Sequence, residues 1–313
     1  MKHNLTFSEM SLDRASSKRK NASWLKEQLH SNKTEFIPVW QEKFWFNEQQ
    51  SLILSAQEIQ TRGYLTKDHE IIFLGLEGEK PVFALDFSSL IKESAESLFS
   101  SDYHIVDVRR ALSLLTSKQI PIFGLVKALS YWHRHHQHCG RCGCKTSSYD
   151  GGHMRKCTSD VCGHSNFPRT DPAVIMLVEY QPENGPAKCL LAQHHAYSKQ
   201  VVSTLAGFVD PGETFEEAVV REVQEEAGVK VSQVKYMASQ PWPFPSSVMI
   251  GFFAQTNDPT INVDNEEIAD AQWFTAEQVR TFGNWGDKSE GYQLPRKESI
   301  ARFLIDDWLA KQP

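Results

Sequence analysis

The stretch from Gly207 to Val229, GFVDPGETFEEAVVREVQEEAGV, constrains the fold of this chain more than any other. A Pro-Gly turn signal precedes Thr214, and Thr214 with Glu217 three residues later is a capping box that predicts the start of a helix. Gly228 stands where a glycine commonly ends a helix. The apolar residues at helical spacing between these signals are Phe215, Ala218, Val219, Val223 and Ala227.

Three glutamates of this predicted helix crowd one of its sides. Glu222, Glu225 and Glu226 follow the i, i+3, i+4 spacing, so their carboxylates come within reach of one another. Like charges at this spacing repel, and hard divalent cations such as Mg²⁺ or Mn²⁺ would neutralise them. The alternative is a solvated acidic helix face without a ligand.

The whole pattern of the stretch decides between these alternatives. Its defined positions are Gly207, Glu213, Arg221, Glu222, Val223, Glu225, Glu226, Gly228 and Val229. They match the Nudix box, so the chain resembles the Nudix hydrolases, which cleave nucleoside diphosphates linked to another group. The resemblance implies a loop-helix-loop whose metal ligands are Glu222, Glu226, Glu267 and the carbonyl of Ala206. It implies Glu225 or Glu226 as the proton acceptor, and the sequence does not separate these two.

Paired cysteines predict a metal site upstream of the box. Cys139-x2-Cys142 and Cys157-x4-Cys162 have the arrangement of a zinc ribbon, in which four thiolates hold one structural Zn²⁺. The family usually has two residues in the second pair, so four is a variant. Nearby residues that could replace one ligand are Cys144, His138, His153 and His164. Two alternatives are buried free thiols and a nucleic-acid-binding ribbon, which the scarcity of basic residues around it disfavours.

A proline-aromatic segment downstream of the box indicates which branch of the family the chain resembles. SQPWPFPSS, residues 239–247, has three prolines in five residues and predicts a stiff extended loop that presents two aromatic rings. This motif resembles that of the NADH pyrophosphatase branch, where it selects NAD-type dinucleotides. The substrate-binding residues implied here are Gln240, Pro241, Trp242, Pro243, Phe244, Pro245, Ser246 and Ser247.

The same resemblance implies further substrate contacts. Arg109 matches an arginine that reaches the substrate, although its neighbour Arg110 differs by only one position. Phe208 is expected to stack on the nicotinamide, and Phe167 of a partner subunit to cover the opposite face. Ala301 lies in a predicted closing helix that starts near Pro295 and matches an alanine that touches the substrate.

These features predict an α+β chain with three parts. Residues 1–130 resemble the NADH pyrophosphatase amino-terminal domain, residues 131–168 form the zinc ribbon, and residues 169–313 form a Nudix α/β/α sandwich with a mixed sheet. The implied reaction is metal-dependent hydrolysis of NADH or NAD⁺ to AMP and nicotinamide mononucleotide. The same chemistry would remove NAD caps from RNA 5′ ends. A homodimer with a shared active site is implied as well.

Other classes of function fit less well. ADP-ribose or another Nudix substrate conflicts with the intact proline-aromatic motif, and a non-catalytic Nudix-fold binding protein conflicts with the retained glutamates. The net charge of −6 argues against a protein that mainly coats nucleic acid. No apolar run approaches the roughly 18 residues of a membrane span. Without a signal-peptide pattern, the expected location is the cytoplasm.

Overall fold

The computed structural model describes residues 5–66, 69–195, 200–263, 266–288 and 291–313. These residues form two compact units. The amino-terminal unit comprises Phe7–Thr170 together with Trp242–Ser246. The carboxy-terminal unit comprises Asp171–Pro241 and Ser247–Pro313, with residues 5–6. No helix in the described ranges has both the length and the apolar character that crossing a bilayer requires.

The amino-terminal unit combines helices with two sheets. Its helices are α1 (Ala22–Leu29), α2 (Ala56–Arg62), α3 (Lys92–Glu96) and α4 (Gln119–His135). Its strands are β1 (Glu35–Trp40), β2 (Lys43–Phe46), β3 (Leu54–Ser55), β4 (Glu70–Glu77), β5 (Lys80–Asp86), β6 (His104–Val106), β7 (Thr146–Tyr149), β8 (Met154–Cys157) and β9 (Ser165–Asn166). The larger sheet has the order β4-β5-β1-β2-β6 with β3 beside β1, and β7-β8-β9 form the smaller one.

Alternation of side chains along β1 divides the core of this unit into two layers. Ile37 and Val39 pack on one face with Phe123 and Val126 of α4. Phe36 and Trp40 pack on the opposite face, in the cluster that contains Ile59 of α2. Because successive strand residues point to opposite faces, a strand that is apolar at every position is covered on both sides.

The carboxy-terminal unit is built around one mixed sheet. Its strands are β10 (Asp171–Tyr180), β11 (Lys188–His194), β12 (Leu205–Phe208), β13 (Ser232–Trp242), β14 (Ser247–Thr256), β15 (Ile268–Thr275), β16 (Gly283–Asn284) and β17 (Gln293–Leu294), and its helices are α5 (Phe215–Ala227), α6 (Ala276–Arg280) and α7 (Ile300–Leu309). The sheet order is β13-β14-β10-β11-β15 with β12 beside β10. Strand β10 runs parallel to β14 and antiparallel to β11 and β12.

Strand β10 places a helix on each face of this sheet. Val174 and Met176 pack in the cluster that contains the apolar side of α5. Ile175 and Leu177, which point the other way, pack in the cluster that contains α7. The predicted α/β/α sandwich with a mixed sheet is confirmed. Cys189 lies in this core with no exposed surface, and burial raises the pKa of its thiol.

Helix α5 begins and ends where the capping signals predict. The Thr214 hydroxyl accepts from the Glu217 N–H at 3.2 Å, and the Glu217 carboxylate accepts from the Thr214 N–H at 2.7 Å. Gly228 ends the helix with a φ of 69°, a conformation in which a side chain would be strained. Only Phe215 departs from the predicted apolar stripe, because it occupies the first helical position and is 43% exposed.

Two predicted boundaries were wrong. The proline-aromatic segment is not one extended loop, because β13 continues to Trp242 and only residues 243–246 form a turn before β14. Pro241 is tolerated because β13 is an edge strand, where a missing N–H need not cost a ladder bond. The closing helix starts at Ile300 instead of near Pro295, because the Ser299 side chain caps it by accepting from Arg302 N.

A buried polar network joins the ribbon strands to α4 and β4. The Arg155 guanidinium donates to the Glu70 carboxylate at 2.9 Å and to Thr146 Oγ1 at 2.8 Å, and it lies 2.7 Å from His133 Nδ1. His133 Nε2 lies 2.8 Å from the Gly152 carbonyl, which can only accept. His133 therefore donates through Nε2, accepts from Arg155 through Nδ1 and is neutral. Burial lowers the pKa of His133, in agreement with that state.

Candidate active site and cysteine cluster

Arg221 of α5 is the hydrogen-bonding centre of the acidic box. Its guanidinium binds both oxygens of Glu213 at 2.6 and 2.9 Å, in a bidentate pair. It also donates to Glu222 at 2.8 Å, to Glu225 at 3.0 Å and to the Phe208 carbonyl at 2.8 Å. These bonds raise the pKa of Arg221, Glu213 contributing most. One cation thus ties the loop, the helix and strand β12 together.

Gly207 of β12 allows Glu222 to approach the sheet. A Cβ at position 207 would lie 1.9 Å from the Glu222 carboxyl carbon and 2.0 and 2.2 Å from its two oxygens. Side chains larger than hydrogen are excluded at this distance, which explains the glycine in the box. The Ala206 carbonyl, another predicted ligand, belongs to the peptide bond that joins Ala206 to Gly207.

Burial and negative neighbours act together on Glu222. Burial raises the pKa of this carboxyl, Arg221 opposes that rise, and the charges of Glu225 and Glu267 add to it. Glu226 is only 4% exposed, whereas the Glu225 side chain is 58% exposed. Carboxylates that are buried or crowded in this way are unfavourable unless a cation compensates them.

The donor set fits a hard divalent cation. Carboxylate oxygens with a backbone carbonyl are the ligands that Mg²⁺ and Mn²⁺ prefer, and the space above Gly207 lets Glu222 turn toward the sheet. Within the described ranges, no group of three carboxylates brings its ligand atoms within 4.8 Å of one another, as the four cysteine sulfurs do. Arg221 Nη1 is hydrogen-bonded to both Glu222 and Glu225, which offsets part of the repulsion between these two carboxylates.

His194 is a neighbour of the site that the sequence did not single out. It ends β11, where it pairs with Ile268 at the start of β15, directly after Glu267. Burial lowers the pKa of His194, and the Glu267 carboxylate opposes that shift. A lone histidine at a strand end carries no motif, so only the β11–β15 register could have found it.

The four predicted cysteines come together in the ribbon. Their sulfurs all lie within 4.8 Å of one another, with 3.8 Å between Cys139 and Cys162 and 3.4 Å between Cys142 and Cys157. A tetrahedron with Zn–S bonds of about 2.3 Å has edges of roughly 3.8 Å. The Arg141 N–H donates to the Cys139 sulfur and lowers the pKa of that thiol to about 7, whereas burial and hydrogen bonds among the sulfurs raise the pKa of Cys157 and Cys162.

The spare ligands around the ribbon are used elsewhere or lie outside the cluster. His153 Nε2 lies 2.8 Å from the Phe73 carbonyl, and burial lowers the pKa of this imidazole to about 4. The Cys144 carbonyl accepts from the Cys139 N–H, while its thiol is exposed. Neither these two nor His138 and His164 joins the converging sulfurs in the described chain.

The aromatic residues of the proline motif pack with the amino-terminal unit, to which Trp242–Ser246 belongs. The rings of Trp242 and Phe244 lie 5.2 Å apart, centroid to centroid. The Arg109 guanidinium carbon lies 4.2 Å from the Phe244 ring centroid, a cation–π contact. This contact favours Arg109 over Arg110 as the arginine associated with the motif.

Two other predicted contact residues are interior. The Gln240 side chain is fully buried, donates to the carbonyls of Thr6 and Glu298, and accepts from the Ile300 N–H. It thereby positions the start of α7. Ala301 is buried in the core on that side of the sheet. Phe167 and Phe208, by contrast, are 63% and 60% exposed, so each ring is open to a planar ligand.

Comparison with known proteins identifies the family to which this chain is similar. Residues 169–294 match the NUDIX domain, and residues 33–132 match the NADH pyrophosphatase-like rudimentary NUDIX domain. The chain is 34% identical over 344 residues to the NAD-capped RNA hydrolase NUDT12 of Homo sapiens, covering 98% of this chain and 74% of that protein. It is 36% identical over 268 residues to the NAD-capped RNA hydrolase NudC of Deinococcus radiodurans, covering 85% of this chain and 87% of that protein.

A third relative is the NAD-capped RNA hydrolase NudC of Mycobacterium tuberculosis, with 36% identity over 249 residues, which are 77% of this chain and 76% of that protein. Similarity of this extent covers both matched domains and the ribbon between them. Together with the acidic box assembled on α5, it shows that the chain belongs to the Nudix hydrolases, in the branch that joins a NUDIX domain to an NADH pyrophosphatase-like domain.

Proposed function

We propose that this protein hydrolyses the diphosphate bond of NADH or NAD⁺ to AMP and nicotinamide mononucleotide, and that it removes NAD caps from RNA 5′ ends. The observation that carries the proposal is the Arg221-held acidic box, with Glu222 seated over Gly207. The relatives, named as NAD-capped RNA hydrolases, support the choice of substrate.

The proposed metal ligands are Glu222, Glu226, Glu267 and the Ala206 carbonyl. When bound there, Mg²⁺ or Mn²⁺ offsets the negative charge of the diphosphate bridge and makes a water more acidic. Arg221 holds Glu222 and the Phe208 carbonyl, and so keeps helix and strand in register for these ligands.

We propose that either Glu225 or Glu226 is the proton acceptor. Glu225 is exposed and ion-paired with Arg221, whereas Glu226 is buried.

Substrate selection is assigned to residues of the proline-aromatic motif and to Arg109. The residues of this motif that we propose to contact the substrate are Gln240, Pro241, Trp242, Pro243, Phe244, Pro245, Ser246 and Ser247, with Ala301 of α7 as a further contact. For Gln240, whose amide is already engaged, a contact through the backbone is the form we propose. Phe208 stacks on the nicotinamide, and Phe167 of a second subunit covers the opposite face.

We propose that the chain has three parts, residues 1–130, 131–168 and 169–313. The middle part is the ribbon, a structural element that holds one Zn²⁺ per subunit. Thiolates survive as metal ligands in a reducing compartment, so we also propose the cytoplasm as the place of action. The relevant sulfurs are those of Cys139, Cys142, Cys157 and Cys162, which already converge.

The first prediction concerns the acidic box. Glu226→Gln should reduce turnover of NADH by on the order of 10²-fold or more, because a buried charge that organises the transition state is removed. Thermal unfolding should change little, since the side chain keeps its shape. Steady-state kinetics with Mg²⁺ and with Mn²⁺ measure the loss. Glu216→Gln, in the exposed first turn of the same helix, is the control and should keep wild-type turnover. Near-normal turnover of Glu226→Gln would refute the assignment.

The second prediction concerns the ribbon. Freshly purified protein that has not met a chelator should contain one zinc per chain by elemental analysis. Cys139→Ser should lower the zinc content, the melting temperature and the solubility before it alters substrate preference, because a structural zinc site contributes directly to folding. Cys144→Ser is the control, since its thiol is exposed outside the cluster. A wild-type protein that contains no zinc when freshly purified in this way would exclude a zinc site.

The third prediction concerns the shared stacking site. A ring covered on both faces gains roughly 1–3 kcal/mol per stacking contact. Phe167→Ala should therefore impair NADH cleavage far more than cleavage of ADP-ribose, which lacks nicotinamide. Tyr149→Ala, another exposed aromatic of the same unit, should impair neither.

Subunit mixing separates a shared site from a site within one chain. Mixing Glu226→Gln with Phe167→Ala subunits should restore part of the NADH activity, because one site of a mixed dimer is then intact. Sedimentation should show a homodimer. A fully active monomer, or mixtures without recovery, would contradict the shared site.

A further inference from the structure

The turn of the proline-aromatic motif is embedded in the amino-terminal unit. Trp242 and Phe244 pack against the core cluster that contains Phe123 and Val126 of α4. Phe7, which is buried, presents its ring edge-on to both, with centroid distances of 6.3 Å to Trp242 and 5.6 Å to Phe244. Three aromatic rings therefore fix one another on the surface of α4.

Gly124 makes room for this arrangement. A Cβ at this position would lie 2.7 Å from the Phe7 ring and 3.4 Å from Pro243 Cγ. Glycine inside a helix costs about 0.5–1 kcal/mol relative to alanine. The close approach of Phe7 and Pro243 explains why α4 carries glycine here.

Lys127, one helical turn further along α4, supplies a charge to the same turn. Its side chain is largely buried, at 8% residue exposure, and its ammonium lies 3.3 Å from Asp107 Oδ2 and 3.4 Å from the Glu42 carbonyl. The same ammonium lies 5.2 Å from the Phe244 ring centroid. A buried ammonium is tolerated because these partners compensate it.

Asp107 connects Lys127 to the predicted substrate arginine. It accepts from the Arg109 N–H at 2.9 Å, and its carboxylate lies 3.5 Å from Arg109 Nε. Arg109 in turn lies over the Phe244 ring. One carboxylate thus orients two cations that both contact Phe244.

We propose that Gly124, Lys127 and Asp107 are positioning residues for substrate selection, so that α4 of the amino-terminal unit sets the dinucleotide preference of the enzyme. They act through Phe244, Trp242 and Arg109 by fixing the turn in one conformation. This role rests on the proposed function, and it gives the amino-terminal unit a part in specificity besides packing.

The test compares two independent substitutions, each made in the whole chain. Lys127→Met keeps the packing volume and removes the charge, and Gly124→Ala adds one methyl group under Phe7. Each should raise the KM for NADH roughly tenfold with kcat changed less, because Lys127→Met removes a cation–π and an ion-pair contact and Gly124→Ala displaces Phe7 and Pro243. Recognition of ADP-ribose, measured as a substrate or as a competitor, should stay near wild type. Lys127→Arg should largely restore the KM for NADH.

Lys80→Met is the matched control, because Lys80 is also ion-paired, to Glu35 and Glu77, in the same unit but away from the turn. Unchanged KM values for NADH in both variants would overturn the proposal, as would equal losses for NADH and ADP-ribose. If Lys127→Met does not fold, Gly124→Ala decides alone, since alanine favours the helix. Wild-type protein that cleaves no NADH would refute the proposed function instead, which keeps the two failures distinct.

Discussion

The ion pairs and hydrogen bonds of Arg221 are the interaction on which the acidic site depends. Carboxylates at i, i+3 and i+4 repel one another, and a guanidinium among them turns part of that repulsion into attraction. The bidentate pair with Glu213 also anchors the loop that precedes α5, and the bond to the Phe208 carbonyl anchors β12. With both ends of the strand-loop-helix unit held, Glu222 stays over Gly207.

The local features of this unit follow from the sequence alone. The Thr214–Glu217 capping box and Gly228 define α5 because each acts through backbone groups within a few residues. The uninterrupted apolar run of β10 is typical of a strand covered on both faces, and its side chains lie in two clusters on opposite sides of the sheet. The cysteine spacing likewise leads to the cluster of sulfurs, even with four residues inside the second pair.

Contacts between distant segments could not be predicted in this way. Phe7 and Phe244 meet although more than two hundred positions separate them, and no local pattern marks Gly124 or Lys127 as their support. Arg155 resembles an ordinary surface cation in the sequence, yet it is buried with Glu70 and His133. Where burial depends on which segments meet, residue type and spacing do not determine it.

The central proposal is that the acidic box acts on a nicotinamide-containing diphosphate. The most direct measurement incubates the purified protein with NADH, ADP-ribose and NAD-capped RNA at the same Mn²⁺ concentration and identifies the products by mass spectrometry. We expect AMP and reduced nicotinamide mononucleotide from NADH, and nicotinamide mononucleotide with 5′-monophosphate RNA from the capped RNA. Both reactions should be faster than ADP-ribose cleavage, and EDTA should abolish both. Faster cleavage of ADP-ribose, or no diphosphate cleavage of any of the three, would contradict it.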